Sequence, residues 1–466
     1  MNLRALKYRA TKLRSVVHTT LNPEGPGVVR IHLVPPKFSL KAADYVVILN
    51  GQDIIPISPS WAIILAEFCG VLNNYDGKEL TKEDLKSVAR HTIDNVRKIY
   101  PRQPVEKLQE DLKTIIEALC DIAYGKVPKV KIGYRTLGEY APYMAAPHRI
   151  DLMISSMTKT VGGVKRHNCN QKCVHCYACG QELAEVDELP TAKWKEIIDK
   201  CKKVGIPQLT FTGGEPTMRD DLVELVKYAK WFVTRLNTNG VRMTESLCKA
   251  LYDASLDSVQ ITFYSHDADV HNKLVGVKRF DDTVNGIKNA LEAGLNVSIN
   301  TPLCTLNRDY VETLKFLKSL GITYVTCSGM IVTGNATTEE SKNTQLTGDE
   351  LYAILQEATK FCNENKMQIS FTSPGWVDEE RLRELGLMVP SCGACLSNMA
   401  ITPDGKVTRC QSWLEGETLG DMLNDDWKTI WNSPACKASR NFSAKMDQTC
   451  PLKTRNSEDK WDEEVL

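Results

Sequence analysis

The sequence lacks both a long apolar run and a net charge. No stretch approaches the eighteen or so consecutive apolar residues of a membrane helix, and the N-terminus lacks the apolar segment of a secretory signal. Its 58 basic residues balance 58 acidic ones. This balance excludes an overall positive electrostatic field that would attract nucleic acid or an anionic membrane. We therefore predict a cytoplasmic globular protein without a nucleic-acid or membrane partner. The basic, amphipathic residues 1–17 leave a transit peptide open as an alternative.

Cysteine, in contrast, is abundant. Sixteen cysteines in a 466-residue chain without an export signal predict metal ligands, catalytic thiols and core residues rather than structural disulfides. Five of them continue the apolar faces of predicted helices and are interpreted as core residues: Cys69, Cys120, Cys201, Cys248 and Cys362. The others concentrate in residues 169–179 and 392–450, with Cys304 and Cys327 between these groups.

The first 130 residues carry the signals of a small α+β domain. An Asn-Gly pair between two β-branched runs predicts a hairpin over residues 45–57. Three amphipathic helices follow, and a capping box at 81–84 opens the second of them. We therefore predict a winged-helix-like domain over residues 1–130.

Residues 131–335 alternate between strand and helix. Strand candidates begin at residues 151, 208, 232, 258, 296 and 323. Six βα units predict an α/β fold, a parallel sheet curved into a partial (β/α)6 barrel, with the functional residues at the C-terminal strand ends. We interpret residues 336–385 as a flexible linker and a bridging helix, and residues 386–466 as a separate cysteine-rich domain.

Three cysteines follow the first predicted barrel strand closely. Cys169, Cys173 and Cys176 have the spacing CxxxCxxC. Thiolates from one short loop can hold an iron–sulfur cluster or a zinc ion, and the spacing leaves both open. Three ligands leave one iron of a cubane cluster free for a further ligand. For Cys179 we predict a local structural role.

A second motif identifies the first one. GGEP at residues 213–216 ends the second barrel strand, and LNTNG follows in the third. The two motifs in this order resemble the radical S-adenosylmethionine (radical SAM) superfamily. The resemblance implies a [4Fe–4S] cluster on Cys169, Cys173 and Cys176, with S-adenosylmethionine at the fourth iron. It also implies a flavodoxin- or ferredoxin-type electron donor and a 5′-deoxyadenosyl radical that takes a hydrogen atom from the substrate.

The same resemblance implies further cofactor contacts. The residues concerned are Gly213, Gly214, Glu215, Pro216, His175, Thr262 and Asn300. The glycines permit close approach of the backbone, and the carboxylate of the turn suits the methionyl ammonium. The histidine stands where the family often has an aromatic residue near the adenine. The threonine and asparagine, at the ends of strands four and five, are ribose candidates, or residues that satisfy backbone groups.

A second cluster is predicted near residue 400. Cys395, nine residues, a glycine, four residues and Cys410 resemble the start of the SPASM and twitch extensions, which implies an auxiliary iron–sulfur cluster. Cys392 supplies a third thiolate, and for the fourth we favour Cys450 over Cys436, which lies on the apolar side of a predicted helix. The chain lacks the dense cysteine group of a full SPASM domain, so we predict one auxiliary cluster, with zinc as the alternative.

Enzymes with this extension frequently modify peptides. The N-terminal domain loosely resembles the PqqD-like peptide-recognition domain of ribosomal-peptide maturases, in which a leader peptide adds to a sheet edge. We therefore predict a peptide or protein substrate in which a crosslink, thioether or epimerised residue is formed. One alternative is the oxidation or rearrangement of a small metabolite or cofactor precursor. Another, of a different class, is a zinc-binding regulatory protein.

Three residues are candidates for returning a hydrogen atom to a substrate radical. Cys304 and Cys327 lie near the ends of strands five and six, where they are expected to face the barrel lumen, and Tyr264 is a weaker candidate. On this hypothesis Cys327→Ala abolishes product while 5′-deoxyadenosine still forms. The alternative is that both cysteines are buried apolar residues.

Overall fold

The computed structural model describes residues 2–21, 28–36, 45–75, 80–446 and 448–453. The chain divides into two compact units. The first contains residues up to 148 together with 200–207 and 231–233, and the second contains the remainder.

The first unit contains a four-stranded antiparallel sheet in the order β1-β2-β3-β4, with helices. Up to residue 148 the elements are α1 (Leu3–Thr11), β1 (Val17–Leu21), β2 (Val29–Val34), β3 (Tyr45–Leu49), β4 (Asp53–Ile57), α2 (Pro59–Leu72), α3 (Lys82–Ile99), α4 (Val105–Ala123) and α5 (Leu137–Tyr140). The predicted hairpin is confirmed as β3–β4, with Asn50 and Gly51 at φ of 50° and 68°, as a type I′ turn requires. The predicted capping box of Thr81 and Asp84 is also present.

The sequence analysis missed half of this sheet. It predicted a hairpin with three helices, whereas the structure adds α1, β1 and β2. Strand β2 contains Arg30 and His32, both of which are buried. Two polar residues inside a buried strand hide the apolar pattern by which strands are recognised.

From residue 149 onward the strands and helices alternate as predicted. The elements are β5 (Arg149–Ser155), β6 (Thr158–Val161), β7 (Val164–His167), α6 (Thr191–Val204), β8 (Gln208–Gly213), α7 (Leu222–Tyr228), β9 (Val233–Thr238), α8 (Glu245–Asp253), β10 (Ser258–Thr262), α9 (Ala268–Val275), α10 (Phe280–Glu292), β11 (Val297–Pro302), α11 (Tyr310–Ser319), β12 (Tyr324–Ser328), α12 (Glu339–Lys342), α13 (Gly348–Glu364), β13 (Gln368–Phe371), α14 (Glu379–Glu384), β14 (Asn398–Ile401), β15 (Lys406–Thr408), β16 (Gly420–Asp421), α15 (Trp427–Asn432) and α16 (Pro434–Ser443).

Strands β5, β8, β9, β10, β11 and β12 are consecutive neighbours in one sheet. β5 pairs in parallel with β8, β10 with β9 and β11, and β11 with β12. These are the six predicted barrel strands, so the predicted partial barrel is confirmed. The sheet extends to ten strands, because β13 joins β12 and β14 joins β5, both in parallel, and β15 and β16 follow β14 in antiparallel pairing.

The bridging helix predicted within residues 336–385 is present as α13, and the segment interpreted as a flexible linker contains α12. This range holds α12, α13 and the edge strand β13. Its polar composition, which suggested a flexible loop, reflects side chains that bond to the rest of the fold. The Pro-Asp-Gly turn at residues 403–405 joins β14 and β15, which pair in antiparallel.

None of the helices in the described ranges is long and apolar enough to cross a membrane.

Candidate active site

The loop that carries Cys169, Cys173 and Cys176 follows β7, because a hairpin, β6–β7, intervenes after β5. The backbone N–H groups of Lys172 and Val174 donate to the carbonyls of Val275 and Leu274, each at 2.9 Å. The chain then turns at Gly276, where a Cβ atom would lie 2.4 Å from the carbonyl oxygen of Lys172. The end of α9 therefore holds the donor groups of the loop.

The three thiols of the motif are partly buried and lie close enough to interact. Burial raises the pKa of Cys169 to about 12 and raises those of Cys173 and Cys176. The thiols also interact electrostatically with one another. Buried thiols ionise when they coordinate a metal, whose charge replaces the lost hydration. The donor set therefore fits an iron–sulfur cluster.

This fit rests on donor chemistry and shared burial. Within the described ranges, no three His, Cys, Asp or Glu side chains are arranged to hold a single metal ion. The thiols of Cys169, Cys176 and Cys179 contact an apolar cluster that includes Met153 and Met157. Apolar surroundings of this kind limit the access of solvent to a bound cluster.

The two glycines of the GGEP turn allow the ends of β8 and β5 to approach closely. Gly213 has a φ of 134°, and a Cβ atom there would lie 2.2 Å from the carbonyl oxygen of Ser155. A Cβ atom on Gly214 would lie 2.7 Å from the carbonyl oxygen of Ser156. The N–H of Gly214 donates to Ser155 at 2.8 Å. Strand packing thus requires both glycines. Contact of Gly213, Gly214 and Pro216 with the cofactor stays a prediction.

Glu215 joins this turn to the loop after β9. Its side chain is 2% exposed, and burial raises its pKa although its hydrogen bonds oppose the shift. Oε1 accepts from the N–H of Thr217 at 3.0 Å and from the hydroxyls of Thr217 and Thr238 at 2.6 and 2.7 Å. Oε2 accepts from the N–H of Asn239 at 2.8 Å. Since a carboxylate oxygen accepts about two hydrogen bonds, Oε2 keeps capacity toward the predicted amino group.

Asn239 belongs to the site, although the sequence analysis gave it no role. Its Nδ2 donates to Oδ1 of Asn170 at 2.6 Å and lies 4.0 Å from Sγ of Cys169. Asn239 therefore connects the cysteine loop to the end of β9. Its position directly after a parallel strand places it at the functional edge of the sheet, but its partner Asn170 is not apparent from the sequence.

His175 is held as a neutral ring. Its Nε2 lies 2.7 Å from Oγ1 of Thr344, and that hydroxyl donates to the carbonyl of Ser341 at 2.7 Å. The hydroxyl therefore accepts from Nε2–H, which leaves Nδ1 unprotonated. Burial lowers the pKa of His175 to about 4, and Nδ1 is buried without a hydrogen-bond partner in the described chain. Its predicted place near the adenine stays a prediction.

The two ribose candidates are neighbours. Thr262 of β10 and Asn300 of β11 are register partners. Oδ1 of Asn300 accepts from the hydroxyl of Thr326 at 2.9 Å, and Nε2 of Gln260 donates to the same hydroxyl at 3.2 Å. Because strand residues alternate between faces, these polar side chains share one face of the sheet.

Cys327 lies on the opposite face, so its predicted lumenal placement was wrong. It follows Thr326 in β12 and is fully buried. Its Sγ lies 3.8 Å from the carbonyl of Ser370, and it interacts with Cys362 of α13 and Tyr310 of α11. It therefore belongs to the layer between the sheet and the helices.

Cys304 and Tyr264 lie beside the cysteine loop. Both are buried in an apolar cluster with Leu274 and Val275, and the partly buried Cys173 packs against this cluster. The structure thus places them near a predicted cluster ligand, and their role as hydrogen-atom donors stays a prediction.

The C-terminal thiols form a second group. Cys392, Cys410 and Cys450 interact electrostatically with one another. Burial raises the pKa of Cys410 to about 12 and that of Cys450 to about 11. Cys395 interacts with Cys410 and has a φ of 57°. The four predicted auxiliary ligands therefore lie together.

Cys436 also belongs to this group. It forms a hydrogen bond with Cys395, and this bond, with Arg440 and Arg409 nearby, lowers the pKa of Cys436. Nη1 of Arg440 lies 3.5 Å from its Sγ. The position is buried, as predicted, but it adjoins two cations. The choice between Cys450 and Cys436 as fourth ligand stays a prediction.

Comparisons with known families agree with both groups of thiols. Residues 166–317 match the Radical SAM superfamily. Residues 392–452 match SPASM, an iron–sulfur cluster-binding domain. These matches disfavour the alternative of a zinc-binding regulatory protein.

Sequence relatives include proteins named for tetrapyrrole synthesis. The chain is 35% identical over 147 residues to an Fe-coproporphyrin III synthase of Methanosarcina barkeri, which covers 31% of this chain and 36% of that protein. It is 29% identical to an AdoMet-dependent heme synthase of Oleidesulfovibrio alaskensis, over 57% of this chain and 72% of that protein. The chain thus spans about a third of the length of the first relative.

The fold is similar to that of Streptococcus suis SuiB. The crystal structure of SuiB bound to S-adenosylmethionine matches with a TM-score of 0.57 and 16% identity, over 86% of this chain and 87% of that chain. The SuiB structure with the precursor peptide SuiA matches with a TM-score of 0.56 and 16% identity, over 86% and 88%. The two domains imply S-adenosylmethionine, a [4Fe–4S] cluster and auxiliary iron–sulfur clusters as cofactors. The chain therefore contains a radical SAM domain followed by a SPASM domain.

Proposed function

We propose that this enzyme modifies a peptide or protein substrate and forms a crosslink, a thioether or an epimerised residue. The similarity to SuiB carries the proposal. It covers 86% of the chain, more than residues 149–466 alone are able to supply, so it includes part of the N-terminal unit. SuiB has been crystallised with its precursor peptide. A shared fold that reaches into the N-terminal unit supports a shared class of substrate.

The residues of the chain have distinct tasks in this proposal. Cys169, Cys173 and Cys176 hold the cluster, and Oε2 of Glu215 orients the methionyl amino group. When bound, the cluster and S-adenosylmethionine supply a 5′-deoxyadenosyl radical. The polar face of β10 and β11 contacts the ribose through Thr262 and Asn300.

A cavity in the N-terminal unit gives the peptide a specific docking site. It measures about 440 Å³ and lies between α2, α3 and α4. Its lining combines apolar and cationic side chains, among them Phe68, Ile93, Leu112, Lys86, Arg90 and Lys113. An apolar floor beside three cations suits an acidic, amphipathic leader segment.

The test uses the full chain, reconstituted anaerobically, with a synthetic peptide drawn from any short reading frame beside its gene. Deuterium at the attacked carbon of the peptide should appear in 5′-deoxyadenosine, and the peptide mass should change. The double variant Lys86→Glu, Arg90→Glu should raise the KM for the peptide about tenfold, because opposite charges favour encounter. Lys82→Glu, on the same helix but outside the cavity, serves as the control.

A second candidate is the oxidation or rearrangement of a small cofactor precursor. The identity of 29–35% to proteins named as heme and coproporphyrin synthases favours it. Turnover of an iron coproporphyrin, with no deuterium transfer from the peptide, would replace the first proposal with this one.

A further inference from the structure

Residues 333–344, which we call the brace, pack on the cysteine loop and donate hydrogen bonds to its backbone carbonyls. The N–H of Asn335 donates to the carbonyl of Cys176 at 2.9 Å. Its Nδ2 donates to the carbonyl of Cys173 at 3.0 Å. A hydrogen bond from Asn335 also reaches the thiol of Cys179. One asparagine thus contacts three cysteines of the loop.

Other brace residues bond to two further carbonyls of the loop. The hydroxyl of Ser341 donates to Val174 at 2.8 Å, and that of Thr333 donates to Tyr177 at 3.3 Å. The N–H of Thr305, which follows β11, donates to the carbonyl of Thr344 at 2.9 Å. The brace is therefore fixed to the sheet side of the barrel while it holds the loop.

Gly334 makes this contact possible. Its φ is 57°, and a Cβ atom there would lie 2.5–2.7 Å from the carbonyl oxygens of Tyr177, Cys176 and Cys179. An irregular loop has no ladder partners for its buried peptide groups, which must find donors elsewhere. The end of α9 accepts hydrogen bonds from two N–H groups of this loop, and the brace donates to four of its carbonyls.

We propose that the brace positions the cluster-binding loop, with Asn335 as its central positioning residue. Cys173 and Cys176 lie at the peptide groups that Asn335 holds, so a displaced brace shifts their sulfur atoms relative to the cluster. The brace then controls how firmly the cluster is retained and how it accepts S-adenosylmethionine. This inference rests on the proposed ligand role of Cys169, Cys173 and Cys176.

The first test is Gly334→Ala, which forces the brace away from the three carbonyls. Iron release to a chelator and hydrogen exchange of the cysteine loop should each become about tenfold faster, as the loss of one or two net hydrogen bonds predicts. Gly386→Ala is the matched control, because Gly386 also has a positive φ, 72°, but has nothing within 4 Å of its Cβ position. The control should stay within about twofold of the wild type on the same scale.

The second test is Asn335→Ala, which removes the bonds to Cys173 and Cys179 and leaves the backbone in place. Iron release should rise about threefold. The change in the electron paramagnetic resonance spectrum of the reduced cluster on adding S-adenosylmethionine should shrink or shift. This signal reports on the radical SAM cluster and not on auxiliary irons. Asn343→Ala, an exposed residue of the same brace, should leave the signal unchanged.

The outcomes separate two kinds of failure. If Cys173→Ala keeps the S-adenosylmethionine-responsive signal, the ligand assignment is wrong. If Cys173→Ala loses that signal while Gly334→Ala and Asn335→Ala match the wild type in iron release, exchange and spectrum, the brace has no positioning role and the proposal is overturned.

Discussion

The two thiol groups of this chain are built in different ways. The thiols predicted to bind the radical SAM cluster come from one short loop, residues 169–176, whose backbone is held from both sides. The auxiliary thiols come from separate segments of the chain, including the irregular residues 392–395 and helix α16. A continuous loop lets the local sequence fix the geometry of its ligands. A site assembled from distant segments depends on the tertiary fold.

The two groups also differ in charge. Glu215 adds to the effect of burial in raising the pKa of Cys169. At the second site, the hydrogen bond with Cys395 lowers the pKa of Cys436, and the charges of Arg440 and Arg409 lower it further. Positive side chains stabilise anionic ligands and a negatively charged cluster. The auxiliary site is therefore the more cationic environment, and the following predictions test this contrast.

Cys173→Ala should have the largest effect. It removes one of the three predicted ligands, so cleavage of S-adenosylmethionine should fall to background. Iron and sulfide analysis should show that the auxiliary cluster remains. Cys248→Ala, a buried thiol of α8 far in sequence from both groups, should retain all clusters. Wild-type cleavage by the Cys173 variant would show that the loop is not the catalytic site.

Cys450→Ala should have the next largest effect, limited to the auxiliary site. We expect loss of auxiliary iron, because the Cys450 thiol interacts with those of Cys392 and Cys410. Cys436→Ala should keep the iron but shift the reduction potential of that cluster, since it removes a hydrogen bond to Cys395. Iron analysis and potentiometry distinguish the two variants. The reverse pattern would make Cys436 the fourth ligand.

Glu215→Gln should have an intermediate effect at the first site. The substitution puts an NH2 donor in place of a carboxylate oxygen. That oxygen accepts hydrogen bonds from Thr217, Thr238 or Asn239. Stability should fall by about 1–3 kcal/mol, as for a buried network that loses an acceptor. Thermal unfolding measures this loss, and equilibrium binding of S-adenosylmethionine should weaken in parallel. Glu196→Gln on the surface of α6 is the control, and an equal loss there would contradict the expectation.

The structural features that depend on local residue spacing were predictable from the sequence. The barrel strands, the β3–β4 hairpin and the capping box follow from alternation and turn chemistry, and the structure confirms them. The three cysteines of the loop and the GGEP turn are recognisable for the same reason. Their chemistry is encoded within a few consecutive residues.

Contacts between distant segments were not predictable in this way. Asn335 lies more than 150 residues after the cysteine loop that it bonds, and its polar surroundings resemble those of any linker. Asn239 bonds to Asn170 only because two loops meet at the strand ends. In both cases a polar residue has a role that appears only when its partner is known.

Cys327→Ala should have the smallest effect, because the structure reverses the earlier hypothesis. A thiol between the sheet and its helices does not reach a substrate on the polar face of β11, so product yield should stay within about twofold of the wild type, as a variant that leaves transition-state contacts intact predicts. The variant should lose about 1 kcal/mol of stability through the small cavity. Product analysis and thermal unfolding measure the two effects separately. If product disappears while 5′-deoxyadenosine still forms, Cys327 donates the hydrogen atom. The placement of its thiol on the helix side of the sheet would then be wrong.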